Sequence, residues 1–291
     1  MPLCVRVHTK MQKKWGMGVK KEGEQAQGFF KGLWQEIKGN KASFFAFAIL
    51  WICTLAVLLH GGVYGRWDRV FTGALCLVLF LLPPIVERSF SLQLPATLEV
   101  CAYLFVFCAG VLGEIGDFYQ RFPVFDSLLH AANGFLFAGF GFCLFSLFEK
   151  KRTVRTLPSP AYQSFTAFCF SMTVGVLWEI FEFCADIFLH TDMQKDSFRT
   201  AIHTLLLPTE DGGVLAVENI TQVEIRTATG ERFVLPAYLD VGLSDTVKDL
   251  AINLWGAICF CIIGYIYLKR RRMALAAQFI PRVRGEARDD I

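Results

Sequence analysis

The sequence predicts an all-α integral membrane protein, a six-helix transmembrane bundle with a small extracytoplasmic β-hairpin insertion. Three observations carry this. Of the 291 residues 54% are apolar and only 19% charged, with a mean hydropathy of +0.43, which is outside the balance of soluble domains. Six apolar stretches approach the roughly 17–25 residues that a membrane-crossing helix needs. The 29 Lys and Arg are clumped beside those stretches rather than spread through the chain, the distribution expected of a multi-pass protein.

Residues 1–42 hold nine Lys and Arg and no cleavable signal pattern, and read as a basic cytoplasmic segment. The first five spans, within 43–189, are expected at 43–64, 70–86, 97–116, 124–148 and 162–189. The second is the shortest and ends in Pro83-Pro84, which would close a helix or make it re-entrant. The sixth span covers 245–268, with its apolar stretch from 246, and residues 269–291 follow as a basic cytoplasmic tail opening on Lys269-Arg270-Arg271-Arg272. With the N-terminus inside, 21 of the 29 basic residues fall on the inner side and 8 on the outer. Five spans would set the two terminal clusters on opposite sides, so six spans with both termini cytoplasmic is the expectation.

Between the fifth and sixth spans lies one long extracytoplasmic loop, 190–244. Its second half alternates in the strand manner: Val223 and Ile225 against Gln222, Glu224 and Arg226, a turn at Thr227-Ala228-Thr229-Gly230, and a return over 232–235. This predicts a β-hairpin. Upstream, 193–207 is expected as a short interfacial helix with Phe198, Ile202, Leu205 and Leu206 on one side. Ten cysteines occur without any CxxC pair and, Cys4 apart, lie in or beside apolar runs, so they read as packing residues. The basic clusters are too short to track a phosphate backbone, which excludes nucleic acid as a partner.

Ionisable residues stand inside three of the spans at helical spacing. Asp126 and His130 are four apart, Glu179 and Glu182 three apart, and Asp245, Asp249 and Asn253 successively four apart, so each set shares one helix face. At 1.5 Å per residue all three sets lie within roughly 10–15 Å of the outer ends of their helices. Each charge facing lipid costs about 2.5–3.5 kcal/mol, so the three faces are expected to meet. The set holds five carboxylates against one His, with Lys248 falling off the face of the two aspartates. Crowded carboxylates hold protons or attract a cation, and His with carboxylate oxygens is a ligand set for a divalent ion such as Zn²⁺, Mn²⁺ or Mg²⁺. In this reading His130, Glu179 and Asp249 are metal ligands, Asp245 and Asn253 support them, and Glu182 or Asp126 is the general base.

The segments FDSLLHAANGF around Asp126 and His130, VLWEIFEF around Glu179 and Glu182, and SDTVKDLAINLWGA from Ser244 to Ala257 resemble the ordered signatures of the YjdF-like bacterial inner-membrane proteins. That family is similar to the wider VanZ-like group, named for a teicoplanin-resistance accessory protein. The likeness runs from about Gly113 to Ala257, with Gly116, Tyr119 and Pro123 fitting upstream of Asp126. The long basic N-terminal segment and the long loop before the sixth span depart from its compact members. The resemblance implies a helical bundle in the bacterial cytoplasmic membrane without an assigned activity.

Three functions fit the residues. The first is a divalent-metal site acting on a lipid-linked or envelope substrate. The second is a proton- or cation-coupled transporter, disfavoured because the inner halves of the spans read as almost free of charge and no inverted repeat is present. The third is a non-catalytic membrane accessory protein whose polar cluster fixes helix register. Membrane lipids are partners in all three.

Overall fold

The computed structural model describes residues 31–32, 34–35, 37–144, 159–207, 212–270 and 278–283. The basic segment 1–30, the expected end of the fourth span beyond residue 144 with the basic run after it, and most of the tail lie outside these.

Helix α1 (Lys41–Val63) begins where Asn40 accepts the backbone amides of Ala42 and Ser43 at 3.0 and 3.5 Å, the side-chain cap that a helix N-terminus needs. It buries only the stripe Ser43, Phe47, Thr54 and Gly61. Phe45, Ile49, Ile52 and Leu59 stand exposed around the rest, an apolar surface that is at home in lipid and not in water. Helices α2 (Trp67–Leu79) and α3 (Leu82–Phe90) make up the second stretch. Pro83 and Pro84 lie in the first turn of α3 and so start a helix rather than ending one. Their missing amide donors cost nothing there, because the first turn's amides have no intrahelical acceptor.

Helix α4 (Ala96–Val106) continues without a break into a π-helical segment, Phe107–Ile115. After the single turn α5 (Phe118–Arg121) come α6 (Phe125–Gly141), α7 (Pro160–Leu189), capped by Ser159 on Tyr162, and α8 (Leu243–Arg270). Among the described residues, four regions are long and apolar enough to cross a membrane: Lys41–Val63, Trp67–Phe90, Ala96–Ile115 and Leu243–Arg270. Helix α6, at 17 residues, and α7, with 30 residues and three carboxylates, are not among them.

The helices form two packs. One joins α1, α2 and the α4–π helix around Phe47, Cys76, Phe80, Tyr103 and Val111. The other joins α6, α7 and α8 around Ala138, Phe142, Ala167, Ala257, Phe260 and Cys261. In this second pack each helix buries a stripe of small residues that runs into its polar residues. The stripes are Asp126-His130-Gly134-Ala138 on α6, Ala167-Ser171-Gly175-Glu179-Glu182 on α7, and Asp249-Asn253-Gly256-Ala257 on α8. Small residues let backbones approach where there is no water to drive helices together. A methyl group at Gly134 would overlap the Asn253 carbonyl oxygen and the Ala257 nitrogen, and one at Gly256 the Ala131 carbonyl oxygen.

Four two-stranded sheets complete the described fold. The predicted hairpin is present as β5 (Val223–Arg226) and β6 (Arg232–Leu235), with Val223 opposite Leu235 and Gly230 turning the chain at φ +91°. The interfacial helix expected over 193–207 is not formed. That segment holds β2 (Ser197–Arg199) and β3 (Ile202–Thr204), paired with β7 (Tyr238–Asp240) and β4 (Leu215–Val217). The apolar residues that matched a helical face are spaced as well for two short strands, and distant partners settle the choice. Part of the expected tail is folded back: Ile280 is buried against the second pack, and β8 (Arg282–Val283) pairs with β1 (Leu92–Gln93). All described cysteines are free.

Candidate metal centre

The three polar stripes meet at one imidazole. His130 Nε2 lies 3.6 Å from Asp126 Oδ1 and 3.7 Å from Asp249 Oδ2, while its Nδ1 lies 3.6 Å from Glu179 Oε1. The five residues Asp126, His130, Glu179, Glu182 and Asp249 are all buried. They form two donor sets, Asp126-His130-Asp249 and His130-Glu179-Glu182, within each of which the candidate ligand atoms lie within 4.8 Å of one another. Of the three ligands chosen from sequence, the two carboxylates thus flank His130 on different nitrogens, Asp249 at Nε2 and Glu179 at Nδ1.

Two cations from outside the helix faces enter the cluster. Lys195, in the loop, places Nζ 2.6 Å from Asp126 Oδ2 and 4.9 Å above the Tyr119 ring, and its backbone amide donates to Asp245 Oδ2 at 3.1 Å. Lys248, expected to fall off the face of the aspartates, reaches Asp245 Oδ1 at 2.7 Å and Asp249 Oδ1 at 3.4 Å. Its flexible four-carbon stem bends the ammonium back across the turn. Against the five carboxylates these two ammonium groups leave an excess of three negative charges with His130 neutral.

The donor set fits a divalent ion on two further counts. Glu179 Oε1 and Asp249 Oδ1 are buried without a hydrogen bond; Lys248 faces the second at 3.4 Å, while the first costs free energy unless a further cation or a proton answers it. The 3.6–3.7 Å separations around His130 are too long for hydrogen bonds. The two at Nε2, 3.6 and 3.7 Å, stand at or just beyond the upper end of the roughly 3.3–3.6 Å between tetrahedral donors whose bonds to Zn²⁺ are about 2.0–2.2 Å. Octahedral Mg²⁺ at about 2.1 Å would draw neighbouring donors to about 3.0 Å.

Asn253 is fully buried one turn further along α8. Its Oδ1 accepts from Asn133 Nδ2 at 2.8 Å and its Nδ2 faces Met172 Sδ at 3.5 Å, so it ties α8 to α6 and α7 rather than reaching His130. Asp245 stands at the mouth, occupied by the two lysines. Asp126 has one oxygen held by Lys195. Glu182 accepts from Trp178 Nε1 at 2.9 Å on Oε1.

A strap closes the outer end. Asp186 accepts from Thr191 Oγ1 and the Met193 amide at 2.7 Å and from the Gln194 amide at 2.8 Å. Gln194 Nε2 donates to Thr246 Oγ1 at 2.5 Å, and β2–β7 pairing holds the strap from beyond. Sequence reasoning missed Lys195, Trp178 and Asp186. Asp186 had a signal, because Glu179, Glu182 and Asp186 continue one helix face at steps of three and four; Lys195 had none. The far ends of the helices are less empty than expected. Glu87 and Glu99 are buried, with Glu87 Oε1 accepting the Leu94 amide at 2.5 Å. Glu99 stands in the first turn of α4, at the opposite end from the π-helical segment that carries Glu114.

No solved structure matches this chain. Over 104 residues, 36% of the chain, it is 29% identical to an uncharacterised protein of Thermotoga maritima, and the match spans 52% of that relative. These comparisons do not show the wider VanZ-like relationship. The sequence pattern of a family of predicted membrane proteins matches residues 45–270, which include every residue of the His130 cluster, and the chain belongs to that family, DUF2238.

Proposed function

We propose that this protein is a six-span bacterial cytoplasmic-membrane protein whose His130 cluster, in the outer half of the bilayer, holds a divalent metal ion and acts on a lipid-linked or envelope substrate. The observation that carries the reading is His130 with carboxylates on both nitrogens at 3.6–3.7 Å, one of whose oxygens, Glu179 Oε1, is buried without a hydrogen bond. Asp126, His130 Nε2 and Asp249 would hold the ion. Glu179 at Nδ1 would then orient the imidazole, as outer-shell carboxylates do for metal-bound histidines. A divalent ion supplies polarisation of a substrate oxygen. Asp126 is engaged by Lys195, so Glu182, with one oxygen held by Trp178, is the better-placed base of the two.

Purified protein should carry metal at roughly one ion per chain, and His130→Ala at most about a tenth of that, because the imidazole is common to both donor sets. Equal metal in the two proteins, measured by elemental analysis, would overturn the assignment.

The pairing of β1, between the second and third spans, with β8, after the last, supports a layout with both segments on one side of the membrane and Lys195 on the other. In a background lacking native cysteines, an impermeant thiol reagent added to intact cells should label Gly212→Cys and miss Lys151→Cys. Labelling at position 151 would sink the six-span topology.

A further inference from the structure

Asp126 and Asp249 meet the same nitrogen of His130 and are held in the same way. Each turns one oxygen toward Nε2, Asp126 Oδ1 at 3.6 Å and Asp249 Oδ2 at 3.7 Å. Each has its other oxygen on a lysine: Lys195 Nζ lies 2.6 Å from Asp126 Oδ2, and Lys248 Nζ lies 3.4 Å from Asp249 Oδ1. The two lysines are joined through Asp245, whose Oδ2 accepts the Lys195 backbone amide at 3.1 Å and whose Oδ1 accepts from Lys248 Nζ at 2.7 Å.

Lys195 is placed by its backbone as well as by its side chain. Asp186 accepts the amides of the two residues before it, Gln194 is tied to Thr246, and β2 begins two residues after it. The Tyr119 ring centroid lies 4.9 Å from the ammonium, a second attraction that keeps the charge over Asp126.

We infer that Lys195 and Lys248 are positioning residues: they hold Asp126 and Asp249 to one metal-facing oxygen each, and so select a four-coordinate ion of the zinc class over Ca²⁺. This rests on the metal reading of the same site. His130 Nε2 and one oxygen from each aspartate give three protein donors, which leave a tetrahedral ion one open position. Ca²⁺ takes about six to eight oxygens, often through carboxylates that bind with both. Here the second oxygens already face ammonium groups, which Ca²⁺ would have to displace.

The test titrates the full chain in detergent with Co²⁺, a probe for the zinc class, and with Ca²⁺, and records the visible Co²⁺ bands, which are intense for four-coordinate and weak for six-coordinate ions. Wild type should show the intense bands and prefer Co²⁺. In Lys195→Met the freed oxygen lets Asp126 bind with both, so the bands should weaken and the preference for Co²⁺ over Ca²⁺ should fall by at least about tenfold, the scale of outer-shell changes. Lys195→Arg, which keeps a cationic donor, should restore both readouts, and Lys248→Met should move them the same way by less, because its contact is longer. If the lysines served only to balance charge, removing either would raise the affinity for both ions alike, with bands and preference unchanged. That result overturns the inference and leaves the metal reading standing, as would weak six-coordinate bands in wild type. Wild type that binds no Co²⁺ would overturn the metal reading and the inference with it. Should Lys195→Met fail to fold, Lys248→Met decides by the same two readouts.

Discussion

Asp249→Asn is expected to lose metal affinity by at least about 100-fold while the protein stays folded. Loss of an outer-shell partner alone typically costs roughly 10–100-fold, and Asp249 is a direct candidate ligand, 1% exposed, with Oδ2 3.7 Å from His130 Nε2. The amide keeps the volume and one acceptor but removes the anion. The metal-free protein should be as stable as wild type or more so, because the substitution takes one charge out of a group with three more carboxylates than ammonium groups. Asp249→Ala should also lose metal and in addition leave a void. A register-fixing role predicts a different pair of outcomes, in which Asn retains function and Ala fails by unfolding, at a cost of about 1–3 kcal/mol for a broken buried network. Metal titration and thermal melts of both variants separate the two, and full metal binding by Asp249→Asn would end the metal interpretation.

Gly256→Ala and Gly134→Ala should each be damaging out of proportion to one methyl group. At both positions the added carbon would meet backbone atoms of the facing helix, the Ala131 oxygen in one case and the Asn253 oxygen in the other. Backbone cannot rotate away as a side chain can, so α6 and α8 must separate. Overpacking of this kind costs typically about 1–3 kcal/mol. The separation also draws His130, on α6, away from Asp249, on α8, so metal binding should fall although every ligand is present. Gly62→Ala is the control: its methyl would meet only Val70 Cγ2, at 4.0 Å, and both stability and metal content should match wild type. A metal affinity unchanged in Gly256→Ala would mean that the close approach of α6 and α8 does not set the site.

The helical spacings in the sequence determined which polar residues share a face. Asp126 with His130, Glu179 with Glu182, and Asp245 with Asp249 each lie on one side of a helix whatever its neighbours do, because the 3.6-residue period is local. The hairpin over 223–235 was legible for a similar reason: both strands and the turn lie within a dozen or so residues. The tertiary structure alone decided the rest. It set Asp249 and Glu179 on different nitrogens of His130, brought Lys195 into the cluster from a loop, turned Lys248 back onto its neighbours, and made strands of 197–199 and 202–204. The pairing of Phe198 with Leu239 spans 41 residues, and the contact of Lys195 with Asp126 spans 69. Such contacts depend on where the helices end in space and on how far a flexible ammonium stem can reach. Neither leaves a trace in the periodicity of the segment itself.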